Sequence, residues 1–210
     1  PDSLTIHNLL LDGYLKQGRT AEVITRLEAY LEQKPKSTPQ RLILALLYQQ
    51  SNNVEKQAAA YEQVLRDDPN MVTALNNLAY LYAGPLKDLV KAQEMAARAR
   101  TAQPDNPAIA DTLGWILFQR KDYAQALLLT EEAAAKIPDN AEIQYHLGMA
   151  RYMQGQKETA RTALEKAVAA KQPFPGIEQA KEYLGQLTGD GTAEKGATIE
   201  SLTQRLKDTP

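Results

Sequence analysis

The residues best suited to chemistry are few and lie scattered along the chain. The two histidines, His7 and His146, are far apart, and neither is part of a metal-ligand spacing such as H-x-x-x-H. The glycine-rich segment at 189–191 lacks the lysine and the preceding strand of a phosphate-binding loop. No serine stands with a histidine and an aspartate in a recognisable catalytic motif. We therefore expect no enzyme, no cofactor and no metal, and both histidines are predicted to pack on helices.

The charged residues are balanced and give no strong field. Lysine and arginine number 24 against 26 aspartates and glutamates, for a net charge of -2. This balance argues against nucleic acid as a partner. The longest apolar stretches, such as Leu42–Tyr48, are too short to span a bilayer. Acidic pairs such as Glu131 and Glu132 are explained by a solvated helix face. The absence of cysteine excludes disulfides and thiol chemistry.

A 34-residue period organises the sequence. Leu113 and Gly114 recur as Leu147 and Gly148, and Ala126 recurs as Ala160. Such a period indicates a repeat array, in which each unit buries its apolar face against its neighbours.

Each unit reads as two amphipathic helices closed by a proline-containing turn. Small residues recur where the two helices of a pair must approach closely, as at Gly114 and Ala126. A further apolar stripe predicts a C-terminal capping helix at 175–187, and a flexible tail at 188–210 contains a short candidate helix at 199–206. The predicted units are 4–37, 38–71, 72–106, 107–140 and 141–174, which with the cap form one solenoid over 1–187.

The repeat resembles a known family. The pattern of Leu113, Gly114, Leu117, Tyr123, Ala126, Ala133 and Pro138 resembles the tetratricopeptide (TPR) repeat. The resemblance implies an all-α, right-handed superhelical solenoid whose first helices line a concave groove. More narrowly, "ALNNLAYLYA" at 74–83 and "NPAIADTLGWIL" at 106–117 look like the C-terminal part of bacterial TPR proteins associated with exopolysaccharide production and exosortase (PEP-CTERM) sorting. That likeness implies a role in the bacterial periplasm or envelope.

The groove positions of the TPR pattern indicate the kind of partner. The early units offer Asp12, Leu42 and Leu46 in place of the basic residues that clamp a chaperone's terminal carboxylate. The later units offer aromatic rings and methionine, which suit an apolar helix or extended peptide. The predicted partner-binding residues are Asn76, Asn77, Tyr80, Asp111, Trp115, Phe118, Tyr145, Met149 and Tyr152.

Three functional hypotheses follow for this groove. The first is a non-catalytic scaffold that binds a protein segment within a bacterial envelope, exopolysaccharide or protein-sorting assembly. The second is a module that holds polysaccharide by stacking sugars on the same rings. The third is a homo-oligomeric scaffold, in which the capping helix or residues 199–206 dock on a second copy. Packing of some of these rings between neighbouring units is the structural alternative.

Overall fold

The computed structural model describes residues 17–170 and 173–188 of the chain, and these residues fold into ten α-helices without a strand. The predicted all-α class is confirmed. Residues 4–16 of the first predicted unit and the candidate helix at 199–206 lie outside the described residues. The helices are α1 (Thr20–Gln33), α2 (Thr38–Gln50), α3 (Val54–Asp67), α4 (Val72–Ala83), α5 (Leu89–Ala102), α6 (Pro107–Gln119), α7 (Tyr123–Lys136), α8 (Ala141–Met153), α9 (Lys157–Ala169) and α10 (Ile177–Thr188).

The turns that lead into the second helices share one backbone feature. We call α2, α4, α6 and α8 the first helices and α1, α3, α5, α7 and α9 the second helices. The residue just before the N-cap of every second helix has a positive φ, between 53° and 75°. The N-cap side chains of Asn53, Asp88 and Asp122 then accept a backbone N–H of the new helix. Local turn chemistry therefore sets where each second helix begins.

Small residues let the two helices of a pair lie close together. Ala79, Ala92, Ala126 and Ala160 are fully buried. A methyl group added at Gly148 would lie only 2.7 Å from the Leu164 side chain of the partner helix. The sequence prediction for these positions is confirmed, since the interior has no spare volume at these crossings.

One polar contact recurs between successive pairs. The Tyr48 hydroxyl donates to Glu28 at 2.5 Å, and the Tyr82 hydroxyl donates to Glu62 at 2.6 Å. At the equivalent position of the fifth unit, Arg151 pairs with Glu131 at 3.2 Å. Each contact joins a first helix to the second helix of the preceding pair, so it stabilises the stacking of the repeats.

The C-terminal end of the solenoid is capped as predicted. Helix α10 packs on α8 and α9. The segment before it carries Phe174, whose ring lies 5.6 Å from that of Tyr145, and Gly176, whose φ is +93°. The Tyr145 hydroxyl donates to Gln179 of α10 at 2.6 Å. These contacts cover the apolar face that the last repeat would otherwise expose.

Candidate functional site

The first helices α4, α6 and α8 lie side by side and enclose a pocket of about 180 Å³ on their shared face. Adjacent first helices touch directly, so side chains one repeat apart become neighbours. The pocket is lined by Tyr80, Ala83, Ala108, Asp111, Thr112, Trp115, Ile116, Ile137, Asn140, Glu142, Ile143 and His146.

Trp115 forms one wall of this pocket and is held rigidly. Its ring stacks on Phe118 at 4.8 Å and on His146 at 4.1 Å between centroids. With its amide oxygen turned toward the indole, Gln119 accepts from Trp115 Nε1 at 2.9 Å and donates to the Ala83 carbonyl at 3.0 Å. The half-buried indole therefore joins three first helices and still reaches the pocket.

A buried acid–base pair lies behind the tryptophan. His146 Nδ1 is 2.9 Å from Asp111 Oδ1 and 3.0 Å from Oδ2. His146 is 4% exposed and Asp111 is 8% exposed. The packing role predicted for His146 is confirmed, but sequence reasoning placed Asp111 in the open groove and missed the pair. The signal was available, because the two residues are 35 positions apart, close to one repeat.

Glu142 and Tyr80 form the open side of the pocket. The Tyr80 hydroxyl lies 3.5 Å from Glu142 Oε1, at the outer limit of a hydrogen bond. Burial raises the pKa of the Glu142 carboxyl above its usual range. Burial and the nearby Glu142 raise the pKa of Tyr80 to about 12. Glu142 was outside the predicted set, although it lies one helical turn before His146.

The structure corrects the prediction at the C-terminal half of the groove. Phe118, Tyr145 and Met149 are at most 3% exposed, so they are core residues and not open partner anchors. The cap is the physical reason for Tyr145, since Phe174 and α10 cover it, whereas Phe118 packs against the rings of Trp115 and Tyr123. Tyr152 is half-buried, with its ring 5.0 Å from that of Tyr183 in α10.

The two predicted asparagines have different surroundings. Asn77 is half-buried and donates to the Tyr61 hydroxyl of α3 at 2.9 Å, so it joins two repeats and is not free for a partner. Asn76 is half-buried, and its Oδ1 has no hydrogen-bond partner among the described residues. The Asn76 oxygen is itself buried, so it offers no open hydrogen-bonding group to a partner.

An exposed apolar row remains on the first helices toward the N-terminal end. Leu46 is 50% exposed and Tyr80, one repeat later, is 40% exposed. Trp115 occupies the next equivalent position at the pocket. We call Leu46, Tyr80 and Trp115 the open ladder, and it is the part of the predicted groove that a partner can reach.

The described residues contain no group of three or more histidine, cysteine, aspartate or glutamate side chains that could hold a metal ion. Thr112, the aliphatic hydroxyl at the pocket, donates to the Ala108 carbonyl of its own helix at 2.9 Å. Nor does any helix within the described ranges combine the length and apolar character needed to cross a membrane.

Two stretches of the chain match family models. Residues 42–107 and residues 117–184 each match a model described as tetratricopeptide repeat. The chain is a tetratricopeptide-repeat protein. The matched stretches include α4 and α8, two of the three helices at the pocket, and most of α6 lies in the short gap between them.

One curated relative of this TPR chain is a bacterial protein. The chain is 29% identical over 118 residues to the TPR repeat-containing protein PA4667 of Pseudomonas aeruginosa, covering 56% of this chain and 20% of that protein. The chain therefore spans about a fifth of the length of this curated relative.

Solved structures share the solenoid at low sequence identity. The structure of PilW, a type IV pilus biogenesis factor, matches with a TM-score of 0.69 and 16% identity, covering 98% of this chain and all of that one. PilF of Pseudomonas aeruginosa matches with a TM-score of 0.67 and 17% identity, over 97% and 96% of the two chains. MamA of Desulfovibrio magneticus RS-1 matches with a TM-score of 0.65 and 14% identity, over 92% and 99%. These likenesses establish the fold alone.

Proposed function

We propose that this TPR chain is a non-catalytic scaffold that binds a peptide or helix segment along the open ladder. The observation that carries the proposal is the juxtaposition of an exposed apolar row with a pocket on the same face of the first helices. Exposed leucine and tyrosine side chains in line present the contact area that an amphipathic segment would cover. The stacked repeats supply a preformed surface, so little ordering is needed on binding.

We further propose that this scaffold works in an assembly of the bacterial envelope. The support is that the curated relative is bacterial and that PilW is described as a type IV pilus biogenesis factor. The narrower proposal, a role beside exopolysaccharide production or protein sorting, rests on the sequence resemblance of residues 74–83 and 106–117.

The open ladder supports a peptide better than a polysaccharide. A sugar-binding platform needs free ring surfaces, whereas two protein rings already stack on Trp115. Phe118 and Tyr145, which would have extended such a platform, are buried. Of these four aromatic residues, only Tyr80 has an exposed ring.

The test compares two leucine variants with the same substitution. Tryptophan-free peptides are selected from a random display library on the purified chain, and their affinities are measured by the fluorescence of Trp115, the single tryptophan. Leu46→Ser removes an apolar contact and should weaken binding about five-fold or more. Leu128→Ser changes an equally apolar residue, 67% exposed on α7, and should leave binding unchanged.

Two outcomes would count against the proposal. Equal losses in the two leucine variants would show that the open ladder is not the binding surface. Failure to select any peptide, together with binding of polysaccharide fragments that depends on Tyr80, would assign the groove to carbohydrate instead.

A further inference from the structure

The charged residues that line the pocket are mostly acidic. Glu142 and Asp111 are the ionisable carboxylates of its wall, and the described residues that line it include no lysine or arginine. His146 is the one basic group there, and its Nδ1 is already engaged by Asp111. A ligand that enters the pocket therefore meets a negative field.

Glu142 lacks a strong partner in the free protein. Among the described residues, its carboxylate has one hydrogen-bond contact, the 3.5 Å contact with the Tyr80 hydroxyl. Burial raises the pKa of Glu142 although the nearby His146 lowers it, so the ionised carboxylate is only partly compensated where it lies. A cationic group placed in the pocket would supply the missing compensation, whereas an apolar group would remove the remaining water and leave the charge unpaired.

The rest of the wall suits the stem of a long basic side chain. Trp115, Ile116, Ile143 and Tyr80 provide aromatic and aliphatic surface beside the carboxylate. Lysine and arginine bury their methylene stems against such surface and keep the charged end at a polar group. Tryptophan and tyrosine rings also attract cations. The pocket volume of about 180 Å³ is below the range of drug-sized ligand sites and fits a single side chain better.

We propose that this pocket receives a lysine or arginine side chain of the bound segment, with Glu142 as its counter-ion. This inference rests on the proposed peptide-binding function and specifies the chemistry of the partner. The selected segment then carries one basic residue flanked by apolar residues that contact Leu46 and Tyr80. The charge of this segment is opposite to the charge of the acidic tails that basic TPR clamps bind.

A double-mutant cycle tests the pairing directly. Peptides recovered from the display library are synthesised with each basic residue in turn replaced by methionine, and each is titrated against the wild-type chain and Glu142→Gln. On the wild-type chain, replacing the basic residue that enters the pocket should weaken binding about ten-fold or more. On Glu142→Gln the same replacement should weaken binding by less than about three-fold, because the carboxylate that pairs with the basic residue is gone.

A second acidic variant controls for long-range charge. Glu94→Gln changes the net charge equally but at a position on α5 whose side chain is 61% exposed. In that variant the effect of the peptide replacement should remain at the wild-type value. Thermal unfolding of each variant verifies that the fold is intact.

The outcomes separate this inference from the function on which it rests. Peptides whose binding depends on Leu46 but shows no coupling to Glu142 would overturn the inference and leave the scaffold function standing. Enrichment of peptides without any lysine or arginine would do the same. If no peptide binds at all, the proposed function fails first, and the basic-residue pocket with it.

Discussion

At the scale of single residues, the site depends on how Trp115 is supported. The lone tryptophan is held by Phe118 from its own helix and by His146 from the next first helix. His146 is held in turn by Asp111. Three side chains from two repeats therefore fix one pocket wall, and this rigidity is what a preformed binding surface requires.

Removing the Asp111 carboxylate should destabilise the fold. Asp111→Ala leaves the buried His146 Nδ1 without its partner, at a cost of about 2 kcal/mol in the free energy of unfolding. Urea unfolding followed by Trp115 fluorescence measures the loss. Asp105→Ala is the control, since the Asp105 side chain is fully exposed and should change stability by less than about 0.5 kcal/mol. Equal effects of the two substitutions would contradict the structural role of the pair.

Neutralising Glu142 should stabilise the free protein at neutral pH. Burial raises the folded-state pKa of this carboxyl above the unfolded value of 4.5, so ionising it costs stability as the pH rises through that window. Glu142→Gln mimics the protonated form and should have the higher Tm at about pH 7. The advantage should vanish well below pH 4.5, where the wild-type carboxyl is protonated in both states. A Gln variant that melts earlier at neutral pH would show that the charge is already compensated.

At the scale of helices, the segment between α9 and α10 decides how much of the groove is open. Phe174 and Gly176 lie against the Tyr145 ring, and Tyr183 of α10 lies against Tyr152. The cap thus covers the rings of Tyr145 and Tyr152, which the repeat pattern assigns to the groove. The proposed binding surface therefore lies toward α2, α4 and α6.

Gly176 should be intolerant of even a methyl group. A Cβ at this position would lie 2.6 Å from the Tyr145 ring, and the φ of +93° is strained for any other residue. Gly155 provides the matched comparison, because its φ is +75° but nothing lies within 4 Å of an added Cβ. Gly176→Ala should lower the free energy of unfolding about 1–3 kcal/mol more than Gly155→Ala does. Urea unfolding of the two variants measures this difference, and its absence would mean that the Tyr145 packing is loose.

At the scale of the whole molecule, the solenoid is a row of units in which each packs mainly against its neighbours. Stability then depends on every interface and on protected ends. The described C-terminal end is protected by α10, which buries Ala180 and Tyr183 against the last pair. Loss of this helix exposes an apolar face and removes one interface.

Two truncations isolate the contribution of the cap. A chain ending at Ala170 lacks α10, and a chain ending at Thr188 retains it. The shorter chain should melt at a lower temperature and bind an apolar dye, because Tyr145 and Tyr152 lose their cover. Calorimetry and dye fluorescence check both expectations. Indistinguishable melting of the two chains would show that the last pair is stable without α10.

The homo-oligomer hypothesis stays a prediction at this scale. Sedimentation of the full chain beside the chain ending at Thr188 tests whether the C-terminal residues bring two copies together. A monomer in both cases would remove that form of the hypothesis.

The repeat architecture was predictable because its determinants recur within one 34-residue period. Proline turns, N-cap residues and small residues at Gly114, Gly148 and Ala126 act locally or between the two helices of a pair. The spacing therefore predicted stacked helix pairs, the TPR resemblance implied the all-α solenoid, and a separate apolar stripe predicted the C-terminal cap. The spacing also brought Tyr80 and Trp115 to one row on the first helices.

The tertiary structure decided which of the groove residues a partner can reach. Tyr145 and Met149 have the spacing of groove residues, but the chain folds back through Phe174 and buries them, an event outside the period. The pairing of Asp111 with His146 likewise depends on how two first helices lie side by side. A repeat pattern specifies which face of a helix a residue occupies, whereas the exposure of that residue depends on what packs against the face. Here the cap covers one end of the groove and leaves the pocket beside Glu142 open.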